Sequence, residues 1–187
     1  VAMSKRFFIA ACALFLIWVG WTALGKQSPL INPTSVEVVE LLPPPPAADS
    51  LQAATELDTI LRLQNSRSEA DVIRVKAENH LTPAAFQTVL GSNFTAAKYP
   101  TVFELLEDAE QDARVFVNKG KKYFARPRPI EMDSRVQPAV DTGRERCYPS
   151  GHATRGAIWA AILSEIAPDE KRPLVVRGQE IGWDRVV

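Results

Sequence analysis

Ser150-Gly151-His152, placed at the start of an apolar helical stretch, with Lys121 and Arg128 a short way upstream, is a set of residue types suited to holding a phosphoryl group. A helix that starts near Ser150 aims its unbonded N–H groups, and the positive end of its dipole, at any anion above Gly151. Gly151 leaves room for close approach, and the Ser150 hydroxyl can donate a hydrogen bond. His152, in the first helical turn, is the side chain here that exchanges a proton near neutrality, which makes it the candidate general acid. Taken alone, the tetrapeptide Pro149-Ser-Gly-His152 also describes an ordinary Ser-capped helix. The basic residues upstream favour the phosphate reading, because a lysine and a planar guanidinium are what phosphate oxygens bind.

Those residues must be positioned by the elements around them. Val102, Leu105, Leu106, Ala109, Ala113, Phe116 and Val117 make one face of a long helix, and Thr101 with Glu104 reads as its capping box. Lys121 continues that face four residues after Val117 and points inward, an unusual place for lysine unless an anion meets it. Arg126-Pro127-Arg128-Pro129 cannot stay helical, so the spacing predicts an extended crossing that carries Arg128 to the site, with Arg126 as a solvated neighbour. After a loop over about 131–148, the Ser150-capped helix runs through the apolar positions Ala157, Ile158, Ala161, Ile162 and Ile166 to Pro168, with Gly156 and the alanines marking close helix packing and Trp159 in packing. A last helix from about Arg172 sets Arg177, Ile181 and Arg185 on one face. Earlier, Leu51, Ala54, Leu57, Ile60 and Leu61 predict one helix, Val72, Ile73 and Val75 a second, and Thr82-Pro83 the start of a third.

The chain has 187 residues, 46% hydrophobic and 24% charged, with 22 basic and 22 acidic side chains, enough for one sizeable core and no electrostatic footprint for nucleic acid. Lys5-Arg6 followed by an apolar run from Phe7 to Gly25 reads as a signal peptide over 1–25, with an uncleaved anchor as the alternative and the only expected membrane contact. Residues 26–50 form a Pro-rich extended lead, and 51–187 a helical domain. The two cysteines are Cys12, inside the apolar run, and Cys147, whose partner is expected outside these residues or which stays a free thiol. His80 lies in a turn and reads as a surface residue. The two histidines and scattered carboxylates have no metal-ligand spacing, so neither a metal nor another cofactor is expected.

Lys121, six residues, Arg128-Pro129, then Pro149-Ser-Gly-His152 is a pattern that resembles the type-2 phosphatidate phosphatase superfamily. Leu42-Pro43-Pro44-Pro45-Pro46, Lys121-Lys-Tyr-Phe-Ala-Arg-Pro-Arg128-Pro129, Tyr148-Pro-Ser-Gly-His152 and Arg177-Gly-Gln-Glu-Ile-Gly-Trp-Asp-Arg185 occur in the order seen in bacterial class A non-specific acid phosphatases, over about 41–187. The resemblance implies an all-α helical bundle of the acid phosphatase and vanadium haloperoxidase type. It implies that Lys121, Arg128, Ser150, Gly151 and Arg185 bind the phosphoryl oxygens, that His152 protonates the leaving group, and that a phosphohistidine forms on a third-motif His six residues after Arg185. That position lies past Val187, so the given chain is expected to lack the nucleophile, to be C-terminally incomplete, and to be inactive as it stands. Asp184 departs from the Ser usual in that motif. Expected partners are phosphomonoesters and inorganic phosphate, and the expected location is the periplasm or the medium. A vanadium-dependent haloperoxidase-like enzyme and a non-catalytic oxyanion-binding protein are the alternatives.

Overall fold

A computed structural model describes residues 31–32, 37–143 and 146–186. The chain is all-α: the described residues form five longer helices, joined by shorter helical turns, and no strand. These are α1 (Leu51–Ser66), α2 (Glu69–Ala77), α3 (Pro100–Phe124), α4 (Gly151–Ile166) and α5 (Lys171–Trp183). The expected signal peptide and Cys12 lie outside the described residues. Among the described residues, no helix is long and apolar enough to cross a membrane.

Local chemistry explains most helix starts. Ser50 Oγ accepts the Ala53 N–H at 3.1 Å to open α1. At α2 the bonds are reciprocal: the Asp71 N–H donates to Ser68 Oγ at 3.2 Å and the Ser68 N–H donates to Asp71 Oδ2 at 2.8 Å. α3 does not use the Thr101 and Glu104 box. It begins at Pro100, whose fixed φ and missing N–H suit a first helical position, so Thr101 already lies inside the first turn.

The core is built where α3, α4 and α5 meet the short helical segment Pro83–Phe86, from Phe86, Phe94, Phe103, Leu106, Trp159, Leu163, Leu174 and Ile181. Its large and its smallest residues set the helix registers, which corrects two expected faces. In α3, Phe103 packs against Phe94 with ring centroids 4.9 Å apart, and Leu105 turns outward. In α4, Trp159 is fully buried and donates its Nε1–H to the Leu106 carbonyl at 2.8 Å. Gly156 faces Gly178 so closely that a Cβ on Gly156 would sit 2.5 Å from the Gly178 carbonyl oxygen. The buried face is therefore Gly156, Trp159, Ala160, Leu163 and Ser164, while Ala157, Ala161 and Ile166 are exposed and Ile158 and Ile162 only flank the core.

The described part of the Pro-rich lead lies along α3. Ile31 N–H donates to Asp112 Oδ2 at 3.0 Å, Lys119 pairs with Glu37 at 2.9 Å, and the Tyr148 hydroxyl donates to the Pro43 carbonyl at 2.9 Å. One helical turn, Val38–Leu41, interrupts the stretch expected to be extended, before the prolines begin. α1 is placed differently: only Ala53 is buried in it, and Leu57, Ile60 and Leu61 are half-buried.

Candidate functional site

The end of α3 sets up one side of the site. Lys121 sits in the last turn, half-buried. Ala125 then adopts a left-handed conformation with φ of 48°, its N–H donating to the Lys121 carbonyl at 3.0 Å, and this reversal sends Arg126 to Arg128 away as extended chain. Pro129 starts a single helical turn, Pro129–Met132, and the Arg128 N–H donates to Glu131 Oε2 at 2.8 Å.

Two bonds dock the second motif on this crossing. The Cys147 N–H donates to the Arg126 carbonyl at 3.1 Å and the Cys147 thiol to the Pro127 carbonyl at 3.0 Å. Burial pushes the Cys147 thiol above its ordinary range, so it is not set up as a nucleophile. The ring of Pro149 lies against Gly120, where a Cβ would come within 2.8 Å of Pro149 Cδ. Gly120 thus serves the approach of the Pro149-Ser150 corner to α3 and does not end the helix, which runs on to Phe124.

Ser150 caps α4, its Oγ accepting the Ala153 N–H at 3.3 Å. That bond uses an acceptor lone pair and leaves the hydroxyl proton available. The protein does not need glycine at 151 for its own packing, since a Cβ there would meet nothing nearer than Val117 Cγ1 at 3.9 Å. Lys121, Arg128, Ser150, Gly151, His152 and Arg185, all named from sequence, line one cleft of about 1020 Å³, whose facing wall includes Thr55, Glu56 and Ile60 of α1. His80 is exposed and takes no part.

Charge is poorly compensated inside this cleft. Arg128 Nε is buried and finds no hydrogen-bond partner among the described residues. An orphaned charged donor costs more than an ordinary unmade hydrogen bond, so this arrangement suits an anion. Arg185 lies in the turn just past α5, beyond the helical face expected for it, because α5 stops at Trp183. Its pKa is lowered, first by burial and then by the neighbouring Arg128.

His152 differs from its sequence reading. Burial, then Arg185 and Arg155, push its pKa down to about 4, so its ring is neutral at neutral pH. The helix N-terminus disfavours a cation at the same place. His152 Nε2 lies 3.3 Å from the Glu78 carbonyl oxygen, a distance suited to donation by an Nε2–H.

Sequence reasoning read the turn after α2 as surface and missed that Glu78 and Asn79 reach the site. Besides meeting His152, Glu78 pairs with the buried Arg177, while its other carboxylate oxygen is buried without a partner among the described residues, and burial raises its pKa. The adjacent Asn79 offers its Oδ1 to Arg185 at 3.5 Å. Two other cations of the cleft wall are paired with carboxylates. Arg126, expected to be solvated, is bonded to Glu56, and Arg155 to Glu110 at 2.8 Å. Asp184 is buried and bonded to Arg74. Partners so far apart in the chain leave no periodic signal; the departure from Ser at Asp184 was the one visible hint.

Among the described residues no three His, Cys, Asp or Glu side chains group in a way that could hold a metal ion. What the arrangement offers is one cleft lined by Lys121, Arg128, Arg185 and the N-terminus of α4, with one imidazole beside them.

No family profile matches the chain. Curated relatives do. It is 28% identical over 172 residues to a non-specific acid phosphatase of Providencia stuartii, an alignment covering 84% of this chain and 67% of that protein. It is 29% identical over 155 residues to an acid phosphatase of Zymomonas mobilis, covering 79% and 58%. A non-specific acid phosphatase of Salmonella typhimurium is 27% identical over 200 residues, covering 99% and 77%. The chain thus spans 58% to 77% of the length of these relatives. They support the bacterial non-specific acid phosphatase class for this chain, with which the type-2 phosphatidate phosphatase superfamily is consistent.

Proposed function

We propose that the cleft binds the phosphoryl group of phosphomonoesters and that the protein is an exported, metal-independent acid phosphatase. The observation that carries this reading is the buried, unpartnered Nε of Arg128 beside Arg185 at the N-terminus of α4. A phosphoryl group supplies acceptors for that donor, for the Ser150 hydroxyl and for the Gly151 N–H, and negative charge for Lys121, Arg128 and Arg185. In a loose phosphoryl-transfer transition state these donors neutralise charge spread over the equatorial oxygens, each well-placed one contributing about 2.7–4 kcal/mol.

His152 donates its proton to the leaving alkoxide, a step worth roughly 10²–10⁴-fold. A phosphoryl dianion favours the protonated ring, offsetting Arg185 and Arg155. Activity accordingly falls as pH rises and His152 loses its proton, which makes the optimum acidic. Attack on phosphorus comes from a histidine six residues after Arg185, forming a phosphohistidine that water then hydrolyses. The 187 residues do not include that position.

The test compares the 187-residue chain with a version extended by the residues that complete the third motif. The extended protein is expected to hydrolyse aryl phosphates below neutral pH, to keep its rate in EDTA, and to yield an acid-labile phosphohistidine on quenching. Loss of rate in EDTA restored by a divalent metal, or turnover by the 187-residue chain that His152→Ala abolishes, contradicts the mechanism.

A further inference from the structure

Asp184, where the resembled motif has Ser, stands directly before Arg185 and is buried, with its side chain only 5% exposed. A carboxylate next to an anion cradle has two costs. It repels the ligand, and it is an acceptor with which Arg185 could pair in the ligand's place. Arg74 of α2 occupies it. Arg74 Nε donates to Asp184 Oδ1 and Oδ2 at 3.1 Å each, and Nη2 donates to Oδ1 at 2.9 Å. Arg74 is itself steadied by Asp71 at 2.9 Å, the residue that closes the capping box of α2. The pair spans 110 residues of chain and ties the turn bearing Arg185 to the helix that leads into the Glu78-Asn79 wall.

We propose that Arg74 is a positioning residue for Arg185: by taking both carboxylate oxygens of Asp184, it keeps that carboxylate from pairing with Arg185 in place of the phosphoryl group. The inference rests on the oxyanion-cradle reading. Hydrogen bonding to Asp184 raises the pKa of Arg74, and the Asp184 charge is felt at Arg185, so the same carboxylate lies within electrostatic reach of both. Glu78, whose ionisation Asp184 also disfavours, is held through one oxygen by Arg177. Each carboxylate at the back of the cradle is thus bound by an arginine that lies outside it.

The experiment is calorimetric titration of inorganic phosphate into the 187-residue chain and its variants at low ionic strength, with folding monitored by circular dichroism. Arg74→Ala frees Asp184 and is expected to weaken phosphate binding about tenfold or more, the scale of one close charge. Asp184→Ser alone removes the competing carboxylate and is expected to stay within about threefold of the parent. The double variant is expected to recover most of what Arg74→Ala loses. If Arg74→Ala does not fold, Arg74→Lys carries the same comparison: it keeps the charge without the fork, and its smaller loss is likewise recovered by Asp184→Ser. A clamp that served only the fold would leave the double variant as weak as Arg74→Ala, and that result, or unchanged binding in Arg74→Ala and Arg74→Lys, overturns the inference. No phosphate binding by the parent chain removes the cradle reading and this inference with it, whereas parental binding indifferent to Arg74 removes this inference alone.

Discussion

The crossing of α4 with α5 and the N-terminal end of α4 belong to the same helix and are built on opposite plans. At the crossing, Gly156 and Gly178 bring two backbones into contact, and neighbouring Trp159 is fully buried with its one polar hydrogen bonded to Leu106. At the N-terminal end, Arg128 has a buried donor without a partner among the described residues, Arg185 faces another cation, and His152 is held neutral by its surroundings. The first region is complete as protein. The second has more positive charge and more free donors than protein alone would favour. The difference fits the proposed reading, in which the cradle is organised around a ligand, and on that reading stability and binding respond oppositely in the two places.

Arg128→Ala is the change expected to separate them most. It removes a charge-assisted contact to the oxyanion, so phosphate affinity is expected to fall by about 10²-fold or more. It also deletes an orphaned buried donor and its repulsion of Arg185, so the melting temperature without phosphate is expected to hold or rise. A clear drop in stability would make Arg128 part of the frame. Gly156→Ala tests the other region. Its Cβ would lie 2.5 Å from a carbonyl oxygen and 3.1 Å from Ile181 Cβ, and α5 cannot yield without disturbing the core. Overpacking of this kind costs about 1–3 kcal/mol in chemical denaturation. A loss of phosphate affinity with unchanged stability would reverse the assignment.

Gly151→Ala is a finer probe, because a methyl there meets only ordinary contact with Val117 at 3.9 Å. Stability is expected to be kept or to gain slightly from better helix propensity, while phosphate binding weakens by about tenfold as the methyl crowds the anion. Equal affinities in the two proteins would mean that the ligand does not approach Gly151.

The smallest effect concerns pH. The folded pKa of His152, about 4, lies below its ordinary 6.5, so between these values the unfolded chain binds more protons at this site than the folded one. Its contribution is therefore present above about 6.5 and is lost as pH falls toward 4. Glu78 acts in the opposite sense, since its raised pKa favours the fold at low pH and the gain fades as pH rises through the folded value. His152→Gln is expected to flatten the fall in melting temperature between pH 6.5 and 4. An unchanged slope would place the titration elsewhere.

The contrast also explains what could be read from the chain. Lys121, Arg128, Ser150, Gly151, His152 and Arg185 were named from short, ordered strings, and the fold brings those strings to one cleft. The helices were legible from periodicity, but their registers were not. Aliphatic spacing pointed to Ala157 and Ile166, whereas the volume of Trp159 and the absence of side chains at Gly156 and Gly178 decided the packing. The supports of the site, Glu78 with Arg177 and Arg74 with Asp184, join residues 99 and 110 positions apart, a pairing no local pattern records. The pKa of His152 depends in turn on how deep those supports hold it.

The most direct test of the cradle is the Arg128 Nε–H proton, followed by NMR on the 187-residue chain as inorganic phosphate is added. The account predicts that its resonance moves downfield along one saturable curve, together with the Gly151 amide, as the orphaned donor gains an acceptor. Phosphate that leaves both signals where they were, or that moves amides away from the N-terminus of α4 instead, would contradict it.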